Sequence, residues 1–188
     1  MRKLWMILLL LCLIVSWSGA ANAQEQGKLA VVVGASNSNL TESGTVGVLW
    51  QFANRFAVRS ELSGMHTDRR SSSPYSTSDN ISRVVSFGVS GPITIHKQDS
   101  LRVYVSPRYA RSYNFSKYKY QSTTQSVLTW TQYSVSGSFG GQYNFSRRFG
   151  VFGESGAEYM VSQPDSPYYQ NTIYSWKMAS TVGLLLYF

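Results

Sequence analysis

The final segment of the chain alternates between two kinds of side chain, and this pattern constrains the fold more than any other feature. Successive side chains of an extended strand point to opposite faces. One face of the segment is mostly apolar and is made of Ser180, Val182, Leu184, Leu186 and Phe188. The other face, from Lys177 to Tyr187, is interpreted as small and polar. Such a strand is typical of a barrel wall that has lipid outside and a polar lumen inside.

The beginning of the chain has the pattern of a cleaved signal peptide. Arg2 and Lys3 precede the apolar run Leu4–Val15, and Ala21-Asn22-Ala23 provides a small-x-small cleavage site. The run has twelve residues, whereas a membrane-spanning helix needs about 20. We therefore expect residues 1–23 to be removed and residues 24–188 to form one domain. The only cysteine, Cys12, would leave with the leader, so neither a disulfide nor a metal site is predicted.

The composition favours a surface that faces lipid. Charged residues make up 14% of the chain, against about 25% in soluble domains, and there are 13 Tyr, 9 Phe and 5 Trp. Without Arg2 and Lys3, the chain has 15 basic and 9 acidic residues, a net charge of +6. Export and the lack of a basic helix argue against nucleic acid as a partner. Anionic lipid head groups are the expected counter-charge.

Eight alternating segments predict an all-β fold, an eight-stranded antiparallel transmembrane β-barrel with up-and-down meander topology. They cover residues 28–36, 44–52, 56–67, 80–95, 101–115, 127–145, 149–162 and 172–188. Long connections at 37–43, 68–79, 116–126 and 163–171 alternate with short ones at 53–55, 96–100 and 146–148. This alternation places the long loops at one mouth, predicted to be extracellular, and the short turns and both mature termini at the periplasmic mouth.

The sixth segment argues against the alternative of a soluble sandwich or a lipocalin-like barrel. Its predicted inward side chains are Ser134, Ser136, Ser138, Gly140, Gln142 and Asn144. Its predicted outward set is Val135, Gly137, Phe139, Gly141, Tyr143 and Phe145. A soluble core built of serine and glutamine would leave polar groups buried at a cost of several kcal/mol each. The apolar set is therefore expected to face lipid.

Most mid-strand charges fall on the predicted inner face. They are Arg59, Glu61, Arg102, Arg108, Glu154, Glu158 and Lys177. Unpaired charges inside a narrow barrel are strongly penalised, so we expect a continuous ion-pair network that plugs the lumen. A narrow ion-conducting channel is the alternative. A catalytic role for the Glu154 and Glu158 pair is not predicted, because a lumen packed with side chains offers no substrate cleft.

The mature chain resembles the small bacterial outer-membrane barrels of the OmpA/OmpX type, which include opacity-like surface proteins. The resemblance rests on the signal peptide, the strand number, the loop alternation and the ending Gly-Leu-Leu-Leu-Tyr-Phe. It implies a monomer in the outer membrane of a Gram-negative cell, with a role in envelope structure, adhesion or surface interaction and no cofactor. The ending also resembles the insertion signal that the outer-membrane assembly machinery recognises, with Gly183, Leu186 and Phe188 as its elements.

A lipid A-modifying enzyme is the third hypothesis. His66, Asp68 and the serines at 71–73 form the available grouping, but His96 lies in a predicted periplasmic turn and the His-x-Ser motif of the deacylases is absent. We therefore predict no catalytic residues.

Cations near the predicted outer mouth are candidates for contact with lipopolysaccharide. They are Arg69, Arg70, Arg83, Lys117 and Lys119. Such side chains can form charge-assisted hydrogen bonds to lipid phosphates. The external ligand itself is not predicted.

Overall fold

A computed structural model describes residues 28–38, 42–73, 76–120, 124–165 and 172–188. The strands are β1 (Lys28–Ser38), β2 (Glu42–Gln51), β3 (Ala57–Ser73), β4 (Ser76–Ser90), β5 (Ile93–Gln98), β6 (Leu101–Tyr120), β7 (Thr124–Asn144), β8 (Phe149–Pro164) and β9 (Ile173–Tyr187). In these ranges no helix is long and apolar enough to cross a membrane. The predicted signal peptide lies outside the described residues.

The strands form a closed barrel. The strands from β1 to β4, and those from β5 to β9, each pair antiparallel with the next strand in sequence, and β1 also pairs with β9. Both β4 and β5 pair with β6, so together they form the fourth of eight barrel strands. The predicted eight-stranded antiparallel barrel is confirmed.

The fourth barrel strand is broken, although residues 80–95 were expected to be one continuous segment. Gly91 and Pro92 separate β4 from β5. Proline lacks the N–H group that a central strand position requires. The Gly91 N–H still donates to the Pro107 carbonyl at 2.9 Å, and the Pro92 carbonyl accepts from the Ala57 N–H at 3.0 Å. The break therefore leaves the wall closed.

The turn after β5 is also shorter than predicted. His96 lies within β5, and the turn consists of Asp99 and Ser100. Asp99 has a φ of 46°, a left-handed conformation that Asp tolerates better than most residues. The polar residues from His96 to Gln98 are in strand conformation because the backbone pairing of β5 with β6 continues to Gln98 and Leu101.

The long connections predicted at 68–79 and 116–126 are mostly strand. The β3–β4 ladder continues to the Ser73–Ser76 pair, and the β6–β7 ladder continues to the Tyr120–Thr124 pair. Serine and threonine side chains are polar but compatible with strand, and the neighbouring strands supply backbone hydrogen bonds. Because the β2–β3 ladder stops at Gly44 and Gly64, β3, β4, β6 and β7 extend beyond the rest of the barrel. We call this the long-hairpin end and the opposite one the short-turn end.

The alternation of inward and outward side chains follows the prediction on β7. Val135 and Phe139 are 60% and 58% exposed, whereas Gly140 and Gln142 are buried. An apolar belt covers the outside of the barrel and includes Val46, Val48, Val58, Leu62, Phe87, Val89, Val105, Val135, Phe139, Val182 and Leu184. A soluble protein rarely exposes such a continuous apolar surface.

Aromatic side chains border the apolar belt at both ends. At the short-turn end, Tyr143 and Phe145 have ring centroids 5.0 Å apart. At the long-hairpin end, Tyr159 lies 5.0 Å from Trp176. On β7 the distance from Tyr133 to Tyr143 is ten residues, which corresponds to about 25 Å along the axis of a tilted strand. This height matches the apolar band of outer-membrane barrels.

The inner face near the short-turn end is apolar, which contradicts the interpretation of that face as small and polar. Leu185 and Tyr187 point inward and are 2% and 7% exposed. They pack in a core cluster with Ala30, Val32, Leu49 and Phe152. Side chains converge inside a narrow barrel, so apolar groups are hidden there from both water and lipid.

Candidate functional site

Four inward charges form a compact cluster in the middle of the lumen. The Arg59 guanidinium bridges two carboxylates, with Nε 2.7 Å from Glu61 Oε1 and Nη2 2.5 Å from Glu154 Oε1. Arg108 Nη2 lies 3.0 Å from the other oxygen of Glu61. Arg59, Glu61 and Glu154 are almost fully buried. The two arginines and two glutamates balance each other, which is the condition for keeping charges in a closed interior.

Neighbouring residues hold the two arginines in place. The single N–H of Arg59 Nε donates to Ser90 Oγ at 3.2 Å, and the guanidinium lies 5.0 Å from the centre of the Phe152 ring. Arg108 lies over the backbone of Gly88, where an added Cβ would be 3.1 Å from two guanidinium nitrogens. Glycine at this position therefore gives Arg108 room to reach β3 from β6.

Lys177 and Glu158 form a second ion pair, with 3.1 Å between Nζ and Oε2. The register aligns Arg108, Ser136, Glu158 and Lys177 across β6, β7, β8 and β9. All seven inward charges thus lie inside the barrel, and six of them are brought into these two groups. Arg102 donates through Nη1 to Gln51 Oε1 at 2.5 Å.

Three polar residues of the lumen were not predicted to take part in its polar network, although Gln142 was predicted to point inward. Tyr104 donates to Glu154 Oε2 at 3.3 Å, and Gln142 donates to the Tyr187 hydroxyl at 2.6 Å. The third is Gln51, the partner of Arg102. Each of them occupies an inward position in the alternating pattern of its strand, which was the available signal. The prediction considered only charged side chains and therefore omitted their neutral hydrogen-bond partners.

The lumen is filled only in its short-turn half. A cavity of about 20 Å³ remains there, lined by residues that include Arg59, Tyr104 and Gln142. On the other side of the ion-pair cluster lies a cavity of about 350 Å³, which we call the chamber. Arg108, Glu158 and Lys177 line it. The expectation of a lumen without any cleft was therefore wrong, because serines on the inner face are too small to fill the barrel.

The cations predicted near the outer mouth lie on the outside of the long-hairpin end where the structure describes them. Arg83 is exposed and Lys117 is half-buried. Their strand positions are neighbours, since Ile81 pairs with Lys117 and Arg83 pairs with Phe115. The side chains of Arg69, Arg70 and Lys119 lie outside the described part of the chain.

Sequence reasoning missed Arg111, an exposed cation on the outer wall. Its guanidinium carbon lies 4.7 Å from the centre of the Tyr113 ring and 5.3 Å from that of Tyr133. A cation over aromatic faces is held in a defined orientation. The odd-numbered parity of β6 could have placed Arg111 outside, next to the tyrosines that mark the membrane interface.

The residues of the enzyme hypothesis are not assembled into a described site. His66 and Asp68 are exposed on the outward side of β3. The side chains of the serines at 71–73 lie outside the described part. Among the described residues no group of three or more His, Cys, Asp or Glu side chains is placed to hold a metal ion.

The three residues of the predicted insertion signal lie on both faces of β9. Gly183 faces inward, where an added Cβ would be 2.6 Å from the Phe152 ring and 2.7 Å from the Val33 carbonyl. Leu186 and Phe188 are exposed outside. The Phe188 N–H donates to the Leu29 carbonyl at 3.0 Å, so the last residue extends the β1–β9 seam.

Comparisons by sequence give no family for the chain. No protein-family model matches it, and no curated protein matches it.

Solved structures share its architecture. A major outer membrane protein from Thermus thermophilus is 13% identical, with 87% of this chain and 100% of that chain covered and a TM-score of 0.58. Ail, the attachment invasion locus protein of Yersinia pestis, crystallised with the heparin analogue sucrose octasulfate, is 13% identical with 87% and 99% covered and a TM-score of 0.55. The N-terminal barrel of Pseudomonas aeruginosa OprF is 12% identical with 87% and 98% covered and a TM-score of 0.51. The chain therefore has the fold of the small eight-stranded outer-membrane β-barrels.

Proposed function

We propose that the protein is an integral outer-membrane barrel with a structural or surface-interaction role and no catalytic activity. The observation that carries the proposal is the exposed apolar belt between two aromatic borders. Lipid is the solvent in which this surface is stable, and the closed barrel satisfies the backbone hydrogen bonds within it. The belt also explains why so few charged residues are present.

The long-hairpin end is proposed to be extracellular and the short-turn end periplasmic. Outer-membrane barrels have short periplasmic turns and longer external connections. The first and last barrel strands, β1 and β9, start and finish at the short-turn end. The protein would reach the membrane through the outer-membrane assembly machinery and act as a monomer, because its strand pairing is complete within one chain.

The lumen is proposed to be closed to ions by the Arg59 cluster and the filled half beneath it. A cavity of about 20 Å³ is on the scale of a single water molecule, not of a continuous path. A narrow channel is the competing function. Planar-bilayer recording of the refolded protein distinguishes them. We expect no stable single-channel steps, and regular steps on the nanosiemens scale would establish the channel instead.

A surface-interaction role is proposed at the long-hairpin end. Arg83, Arg111 and Lys117 lie outside the barrel near interfacial tyrosines. Arginine and lysine there can bind the phosphates of lipopolysaccharide while the aromatic rings remain at head-group level. Arg69, Arg70 and Lys119 belong to the same hairpins and would extend the cationic region. The sulfated ligand of Ail makes sulfated saccharide a second candidate partner.

Neutralising the three outer cations tests the lipopolysaccharide contact. The variant combines Arg83→Gln, Arg111→Gln and Lys117→Gln, and its control combines Arg55→Gln, Arg147→Gln and Arg148→Gln at the short-turn end. All three control residues are exposed. We expect the first variant to retain several-fold less lipopolysaccharide on purification while it still folds. Equal retention by both variants would refute the contact.

A further inference from the structure

The chamber is the feature of the lumen that the proposed role leaves unexplained. We propose that it is a binding site for a neutral saccharide unit that enters from the long-hairpin end. The proposal rests on the barrel architecture, but it requires neither the outer-membrane orientation nor the lipopolysaccharide contact. Its volume of about 350 Å³ lies within the range of about 300–1,000 Å³ that small-molecule sites occupy.

Hydroxyl groups dominate the wall of the chamber. They come from seven different strands and include Ser36, Ser63, Ser82, Ser86, Ser134 and Ser175. A serine hydroxyl donates one hydrogen bond and accepts others, and so do the hydroxyl groups of a sugar. Asn114 and Gln132 add amides, and the 3.1 Å hydrogen bond between them orients both groups. The wall is therefore complementary to a ligand rich in hydroxyls.

The floor of the chamber favours an uncharged ligand. Arg108 is paired with Glu61, and Lys177 is paired with Glu158. Each cation thus has its counter-charge within 3.1 Å, so an entering anion would compete with a carboxylate already in place. A neutral polar molecule can accept or donate hydrogen bonds there without breaking an ion pair.

One part of the chamber wall is apolar. Trp130, Met65 and Met160 line it together with the hydroxyls. Pockets for small molecules commonly combine such surfaces with a few polar groups that fix orientation. A pyranose ring has both aspects, because its C–H groups form an apolar face and its hydroxyls project from the edge. From Arg108 to Asn114 the wall rises by six residues of β6, or about 15 Å along the axis, which leaves room for a short saccharide.

Saturation-transfer NMR on the full protein in lauryldimethylamine oxide micelles tests the site, because this detergent contains no sugar. The neutral probes are glucose, N-acetylglucosamine and maltose, and galacturonate is the anionic probe. We expect saturable transfer to at least one neutral probe, with a dissociation constant of about 1 mM or tighter. Galacturonate should bind about tenfold more weakly than that probe.

Two matched substitutions locate the site. Ser134→Phe places a ring in the chamber, whereas Ser155→Phe adds the same ring to the outward face of β8. Trp130→Leu removes the Trp130 ring from the apolar wall and serves as a second chamber variant. Heat-modifiable gel mobility identifies the variants that fold. We expect about tenfold weaker binding for the chamber variants and parental binding for Ser155→Phe.

The proposal is overturned by three results. The first is the absence of saturable transfer from every neutral probe. The second is equal binding by Ser134→Phe, Trp130→Leu and the parent, which would move the contact outside the chamber. The third is preference for galacturonate. Each of these results leaves the membrane location and the lipopolysaccharide contact standing, because those depend on the outer surface.

Discussion

At the scale of single residues, Arg59 is the central member of the ion-pair cluster in the lumen. It contacts two carboxylates, one hydroxyl and the Phe152 ring, and it is 2% exposed. Replacing it with an uncharged residue leaves Glu154 without its ion-pair partner in a closed interior. Removing one member of a buried pair typically costs about 3–5 kcal/mol, while replacing both members with apolar groups is often neutral.

We therefore predict that Arg59→Met destabilises the folded barrel by about 3 kcal/mol or more. The double variant Arg59→Met/Glu154→Met should recover most of this loss, since Glu61 keeps Arg108 as its partner. Urea titration of the proteins refolded in lipid vesicles measures both free energies of unfolding. A double variant that is less stable than the single one would contradict the proposed ion-pair balance.

Two glycines on the paired strands β7 and β8 are expected to respond differently to substitution by alanine. A Cβ on Gly156 would overlap the Gly137 carbonyl oxygen and the Ser138 Cα atom, whereas a Cβ on Gly137 would meet nothing within 4 Å. We predict that Gly156→Ala costs about 1–3 kcal/mol of unfolding free energy through forced backbone shifts. Gly137→Ala should change it by less than about 0.5 kcal/mol. The same vesicle titration compares them, and equal losses would show that the tight β7–β8 contact is not as described.

At the scale of elements, the two long hairpins are the clearest difference between expectation and structure. The run of serines at 71–73 reads as a loop because it has no apolar alternation. Periodicity detects a strand only where alternate residues differ in polarity, and this run contains serine alone. Its strand character comes from backbone pairing with neighbours, such as Ser71 with Ser78, which composition does not reveal.

This difference predicts that the projecting hairpin can be shortened. Deleting residues 71–78 removes complete facing pairs and should leave a folded, heat-modifiable barrel, because the apolar belt is untouched. Deleting Val85 alone should prevent folding, since a shift of one residue exchanges the inward and outward sets of β4. Gel mobility of unheated samples reports both outcomes. Loss of folding after the eight-residue deletion would mean that the hairpin is needed for barrel formation.

At the scale of the whole molecule, the sequence was sufficient to predict the barrel but not to predict the chamber inside it. Alternation assigned Val135 and Phe139 outward and Gln142 inward, because lipid and lumen impose opposite polarity on adjacent positions. The chamber depends on the summed volumes of side chains from many strands, and the break at Gly91 and Pro92 depends on bonds to β3 and β6. Neither quantity is local in sequence. Arg111 was missed for a different reason, because an isolated charge on an outer face looks like an ordinary surface residue.

Lipid contact along the apolar belt is the defining property of a membrane barrel, and spin labels on β7 measure it directly. Single cysteines at positions 133–145, labelled and refolded in vesicles, report collision rates with oxygen, which concentrates in lipid, and with a water-soluble nickel complex. We predict a period of two, with oxygen accessibility highest at the outward positions around Phe139 and low at Ser138 and Gly140. Nickel accessibility at Phe139 equal to that of a water-exposed loop, or no alternation along β7, would contradict the membrane barrel.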